Sequence, residues 1–275
     1  MRAARKQAES TKHARWCLGD AYQPHIRVQD ISSTGRKTRI KYQRREVHLL
    51  SDLEVQAFRH FQWEPSVFGI EEQYYLEVED TVRIAADAGI DHPVDVKTKA
   101  PFEMSTDLVV YYRANDGGER RIARSVKRSE DIEETLALPQ RKKKIKRTIE
   151  KLEIERRYWT ERGVDWAILT QLELSEPRTR TIEMLLKSEL DCSRPDGFWQ
   201  EVANRIHEAL FEGEGFRIVD LQRQLDGSGV VDAADFASCF RHLCATRQLT
   251  FDMKRRYDLL RPVSDFTISQ VDGDR

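Results

Sequence analysis

Apolar and polar positions change their period several times along the chain, and each change marks an element. In HLLSDLEVQAFRHFQW, Leu53, Ala57, Phe58 and Phe61 recur at helical spacing, which predicts a helix starting near Ser51. SVFGIEEQYYL reads as a strand, and EVEDTVRIAADAGIDHPVDVKTKAPFE as a weak helix followed by a proline-containing loop. STDLVVYY and RRIARSVK are short apolar runs joined across RANDGGE, whose Asn, Asp and Gly predict a hairpin turn. Ile145, Ile149, Leu152 and Trp159 then line one face of a long helix ending near Gly163, and VDWAILT is a short apolar strand. Trp159 and Trp166 both read as core. Upstream, IRVQDISSTGRKTRIKYQ predicts two extended runs around a Ser-Ser-Thr-Gly turn.

Helix, three strands, helix, strand is the order of an α/β layer whose sheet is buried against helices. The pattern breaks around Ser175 to Arg180, at Pro177. Beyond it GFWQEVANRIHEALF, IVDLQRQLD and DAADFASCFRHLCATR are amphipathic helices, and LTFDM and YDLLRPV are short strands. Three helices and a hairpin fit a winged helix. The predicted division is an arm over residues 1–25, an α/β domain over 26–175, a winged-helix-like domain over 176–268 and a tail over 269–275.

Composition changes this picture through charge. The balance is close to neutral, 46 basic against 47 acidic residues, yet the basic ones are segregated. One group runs from Arg2 to Arg45 and includes Arg36, Lys37, Arg39 and Lys41; RKKKIKR at 141–147 is a second. Such segregation points to a polyanion partner, with solvated surface charge as the alternative for either block alone. Four cysteines without a CxxC pair or a zinc-spaced His predict a reduced, cytoplasmic chain with no structural metal. No apolar run approaches membrane-spanning length, and the N-terminus lacks the apolar core of a secretory signal.

Candidate chemistry lies at the strand ends. Ser125 and Lys127 share a strand face, and a hairpin turning around Gly117 sets Asp107 across from Lys127. That pair is either a cross-strand salt bridge or the acid and cation of a metal-dependent site. Glu54 completes Ser-x-x-Glu, the capping box of a helix start, while its carboxylate is also able to face the sheet. Glu150 and Glu153 on the following helix are further candidate acids, or solvent-facing residues.

The segments STGRKTRIKYQRREVHLLSDLE, MSTDLVV, SVKRSEDIEE and KLEIERRYWTERGVDWAILT resemble the TnsA family, the endonuclease subunits of heteromeric cut-and-paste DNA transposases. The resemblance runs in order from residue 25 to 175 and weakly onward. It implies a restriction-endonuclease-like fold with a C-terminal winged helix, catalytic acids at Glu54 and Asp107, and a catalytic lysine at Lys127. Ser125 stands where this fold usually carries Gln or an acid, and is expected to reach a metal only through water. The implied cofactor is one or two Mg2+ ions, with Mn2+ as a substitute, held by Glu54, Asp107 and the backbone carbonyl of Val126. Lys127 supplies a compact charge near the attacking water and the scissile phosphate. Double-stranded DNA at transposon ends is the implied substrate, with Arg36, Lys37, Arg39 and Lys41 as candidate DNA contacts. The family's division of labour gives this subunit the 5′ ends, gives a DDE-type transposase the 3′ ends, and sets the C-terminal domain against an AAA+ ATPase regulator. A catalytically silent DNA-binding adaptor and a stand-alone restriction or repair nuclease are the rival classes.

Overall fold

The computed structural model describes residues 22–30, 37–95, 98–133, 139–213, 215–229 and 231–269. Most of the predicted arm, Arg36, the Ser-Ser-Thr-Gly turn and the last residues of the tail lie outside them. The chain divides between Leu174 and Ser175 into two compact units.

The first unit opens with an antiparallel hairpin of β1 (Thr38–Tyr42) and β2 (Arg45–Leu49). Its period-two pattern buries Ile40, Val47 and Leu49 and exposes Arg39, Lys41 and Glu46. The hairpin turns at Gln43 and Arg44, with Gln43 left-handed at φ 55°, and so lies later than the sequence pattern predicts. The preceding Val28–Asp30 is a 3-10 turn rather than a strand. There the Asp30 carboxylate accepts the Arg27 N–H, a local bond that competes with strand pairing.

Three helices, α1 (Asp52–Trp63), α2 (Val78–Asp87) and α3 (Pro139–Glu161), accompany a four-stranded sheet. Its strands are β3 (Val67–Tyr75), β4 (Ser105–Arg113), β5 (Glu119–Val126) and β6 (Asp165–Leu169), in that spatial order. β3, β4 and β5 pair antiparallel, while β6 pairs parallel to β5. A parallel neighbour needs a crossover, and α3 supplies it. Both faces of the sheet are covered. Leu108 and Val110 of β4 pack with Val47, Leu49, Phe58 and Ile70, whereas Val109 and Tyr111 pack with Ile84, Ala123, Ile154, Tyr158 and Trp159. Ile149 is exposed, against expectation, because the buried face of α3 turns through Leu152, Ile154 and Tyr158.

The second unit contains α4 (Glu176–Leu185), α5 (Phe198–Glu212), α6 (Ile218–Gly227) and α7 (Ala233–Ala245), followed by a short antiparallel hairpin of β7 (Leu249–Phe251) and β8 (Phe266–Ile268). Ile206, Ile218, Leu221, Phe236, Phe240, Leu243 and Leu249 are its buried core. The stretch YDLLRPV is not the second strand. Pro262 lacks a donor and makes only an isolated bridge with Arg217, and pairing resumes at Phe266. Among the described residues no helix is long and apolar enough to cross a membrane.

Candidate active site

The site forms where β4 begins and β5 ends. The hairpin between them runs Leu108↔Arg124 through Arg113↔Glu119, so its centre is Asp116 rather than Gly117. Continued by one step, this register sets Ser125, not Lys127, opposite Asp107. The Asp107 side chain closes the gap. Its Oδ2 accepts the Val126 N–H at 2.7 Å and the Lys127 ammonium at 2.7 Å. Lys127 Nζ also donates to the Val126 carbonyl at 2.9 Å, and its own N–H bonds Leu169 of β6. Among the described residues, nothing donates to Asp107 Oδ1.

A break in both strands puts Asp107 there. Glu72↔Leu108 and Tyr74↔Thr106 pair on either side of Gln73 and Asp107, which do not. Gln73 is left-handed at φ 49°, a conformation that costs a non-glycine residue on the order of 1–3 kcal/mol. Facing changes at the same level. Strict alternation would put Thr106 on the side of Leu108, yet its hydroxyl accepts the Trp159 indole N–H on the opposite face. The Gln73 carbonyl, freed from the ladder, accepts the His25 N–H.

Glu54 arrives on the first turn of α1. Ser51 caps that helix, its Oγ accepting the Glu54 N–H at 3.1 Å and donating to Glu54 Oε1 at 3.0 Å. Glu54 Oε2 reaches past the cap to the Leu50 N–H at 2.9 Å and accepts the Gln73 amide at 3.2 Å. Both oxygens are therefore engaged, where the capping box alone requires one. The Gln73 amide oxygen in turn accepts the Ser105 hydroxyl, tying the start of α1 to β3 and β4.

Glu155 is the acid the sequence reading missed. Glu150 pairs with Arg147, and Glu153 with Arg156 and Arg157, so neither turns to the site. Glu155 is buried instead, and its Oε1 accepts the Ser125 hydroxyl at 2.6 Å. Ser125 Oγ also accepts the Trp166 indole N–H at 2.9 Å, which makes Trp166 a half-buried link to this site as well as a core residue. The missed signal was spacing. Glu155 lies four residues before the core residue Trp159, on the buried face of α3, where a carboxylate needs a reason to be.

The carboxylates repel one another. Burial and then the Asp107 charge push Glu54 up to about 7, and the same two causes push Glu155 up to about 7. Burial pulls the Lys127 ammonium down, but the charge and hydrogen bond of Asp107, with Glu155 and Glu54, more than reverse this, and its pKa is raised. Among the described residues no three His, Cys, Asp or Glu side chains close around one ion position. Oxygen donors are nonetheless grouped here: Asp107 Oδ1, the Glu54 carboxylate and the Val126 carbonyl. A hard divalent cation that keeps several waters suits such a set, and would relieve the repulsion that raises Glu54.

The candidate DNA contacts lie elsewhere in the unit. Arg39 and Lys41 occupy the exposed face of β1, Arg39 near Glu46 and Gln29, and Lys37 immediately precedes the strand. Neither of these Arg39 contacts reaches Asp107 or Lys127.

Comparison with known proteins identifies the family of the chain. Residues 64–171 match the family described as TnsA-like endonuclease N terminal. The chain is also 32% identical, over 255 residues, to the transposon Tn7 transposition protein TnsA of Escherichia coli, covering 92% of this chain and 87% of that protein. An identity of that extent spans both units, and the chain belongs to the TnsA family.

Proposed function

We propose that this chain is the magnesium-dependent endonuclease that cuts the 5′ ends of a transposon, working with a DDE-type transposase and an AAA+ regulator. The observation that carries the proposal is the juxtaposition of the Asp107 carboxylate with the Lys127 ammonium, within electrostatic reach of Glu54. Asp107 Oδ1, Glu54 and the Val126 carbonyl would hold Mg2+ or, in its place, Mn2+. The chemistry supplied by such an ion is polarisation of the scissile phosphate and activation of water.

The chain's own groups do the rest. Lys127, with its pKa raised, stays protonated at neutral pH. It therefore acts as a cation and donor toward phosphate oxygens, not as a general base. Ser125 stays behind the site: its hydroxyl holds Glu155 and Trp166 together, so the end of β5 and the face of α3 keep a fixed spacing. Gln73 and Ser51 hold the Glu54 carboxylate against α1. Arg36, Lys37, Arg39 and Lys41 would contact DNA phosphates, and the second unit, read as a winged helix, would contact the AAA+ regulator.

Strand cleavage of transposon-end DNA across a Mg2+ titration, with the transposase and regulator supplied, tests this. Asp107→Ala is expected to abolish 5′-end cleavage while the protein stays folded. Metal-dependent cleavage at the wild-type rate by that variant would overturn the assignment, and cleavage of any duplex without partner subunits would favour a stand-alone nuclease.

A further inference from the structure

The basic block at the start of α3 is not used by the site described above. Ile145 and Leu152 turn inward, while Lys142, Lys143, Lys144, Lys146 and Lys151 are exposed. Lys143, Arg147 and Lys151 recur every fourth residue, and Lys144 lies seven before Lys151, so the four share one stripe of the helix. Lys142 and Lys146 occupy the other flank.

The lysines of the stripe differ from the arginines around them. Arg141 pairs with Asp131, Arg147 with Glu150, and Arg156 and Arg157 with Glu153. Among the described residues, Lys143 and Lys144 have no acidic partner. Lys151 has none either; its ammonium leans over the ring of Phe102, itself 45% exposed. Lys151 lies one helical turn before Glu155, whose carboxylate accepts the Ser125 hydroxyl two residues before Lys127, so this end of the stripe lies beside the candidate active site. The eight steps from Lys143 to Lys151 rise about 12 Å along the helix, the axial length of three to four base pairs.

We infer that Lys143, Lys144 and Lys151 form a phosphate-binding track that leads duplex DNA along α3 to Lys127. The inference rests on the nuclease reading for its direction. An acidic protein surface is the competing occupant, and DNA is favoured because the stripe ends one turn before Glu155, which ties α3 to the end of β5 beside Lys127. Uncompensated ammonium groups at a fixed spacing suit a regularly charged polyanion, and Phe102 gives the last of them an apolar backing that holds it in place.

Binding of the full chain to a transposon-end duplex, followed by fluorescence anisotropy over a salt series, tests the track. Lys143→Gln/Lys144→Gln/Lys151→Gln should weaken binding at least tenfold at low salt. It should also reduce the slope of log K against log salt by about 2–3, since each lost phosphate contact removes about 0.9. Lys143→Gln/Lys144→Gln, which leaves the Phe102 contact intact, should produce about two-thirds of that change. Lys142→Gln/Lys146→Gln should leave the slope as in wild type. A triple variant with the wild-type slope overturns the track. So does an equal effect of the two flanks, which would show diffuse charge. A triple variant that binds DNA normally but no longer responds to added transposase or regulator would reassign the stripe to protein docking. Cleavage measured in parallel separates the two readings. If no variant and no wild-type sample cleaves with Mg2+ while the triple still loses its slope, the nuclease reading fails and the DNA track stands.

Discussion

At the scale of single residues, the site depends on side chains that hold other side chains. Ser125 is fully buried, and its one hydroxyl donates to Glu155 and accepts from Trp166. Ser125→Ala leaves a buried carboxyl and a half-buried indole N–H short of partners, at about 1–3 kcal/mol. Urea denaturation should show that loss together with reduced cleavage; an unchanged midpoint would mean that water replaces the hydroxyl. Gln73 makes a sharper case. Gln73→Leu preserves size but removes the amide that reaches Glu54 and Ser105, and the apparent Mg2+ affinity, read by calorimetry, should weaken by roughly tenfold, about 1.4 kcal/mol. Gln73→Gly relieves the left-handed backbone without restoring the amide, so it should not recover that affinity. The meeting of Asp107 with Lys127 and the Ser51–Glu54 cap were legible, because a hairpin turn and a Ser-x-x-Glu helix start are local patterns. Gln73 was not, since a left-handed residue within a strand leaves no mark in the sequence, and Glu155 hid among the acids of a charged helix.

At the scale of elements, periodicity located α1, α3 and β3 to β6, because each buries a regular apolar face. Its failures share a cause. Where main-chain geometry rather than burial sets the outcome, the pattern of residues is indifferent: the hairpin centre moved by one residue, β1 and β2 met at Gln43, and Pro262 ended a strand that its apolar neighbours suggested. A one-residue error in a hairpin moves its partner by two, yet Asp107 and Lys127 still meet because the side chains span the difference. The start of α1 offers a test of how element and site are joined. Ser51→Ala removes the cap and the hydroxyl on Glu54 Oε1, and should cost about 1 kcal/mol in thermal or urea unfolding. Glu54→Gln keeps a side chain able to accept the Leu50 N–H and should cost less stability, but is expected to lower cleavage by at least a hundredfold. The reverse ranking would make Glu54 a capping residue only. Trp159 ties α3 to β4 through Thr106, and Trp159→Ala should cost about 3–5 kcal/mol through the cavity it opens.

At the scale of the whole molecule, stability and metal response should move in opposite directions with pH. Glu54 and Glu155 sit near 7, above the ordinary 4.5, through burial first and the Asp107 charge second. The folded protein thus keeps protons that the unfolded chain has already released. Their contribution to stability is complete below the unfolded value of 4.5 and is lost as pH rises through about 7. Leaving one such carboxylate ionised and buried costs on the order of 3 kcal/mol. Metal-free protein should therefore melt at a lower temperature at pH 8 than at pH 5.5. Glu71, pushed up to about 7 chiefly by burial, adds the same trend from outside the site, so the fall alone does not identify the acids responsible. Mg2+ separates them. A cation competes with protons at Glu54 and not at Glu71, so the rise in melting temperature on adding Mg2+ should be small at pH 5.5 and grow toward pH 8. Asp107→Asn should remove that rise at every pH, because it takes away both a ligand and the charge that raises Glu54. Glu71→Gln should flatten the metal-free fall while leaving the Mg2+ response as in wild type. A Mg2+ shift independent of pH, or one that survives in Asp107→Asn, would place the ion away from these carboxylates and leave their elevated pKa values as the cost of a buried acidic core.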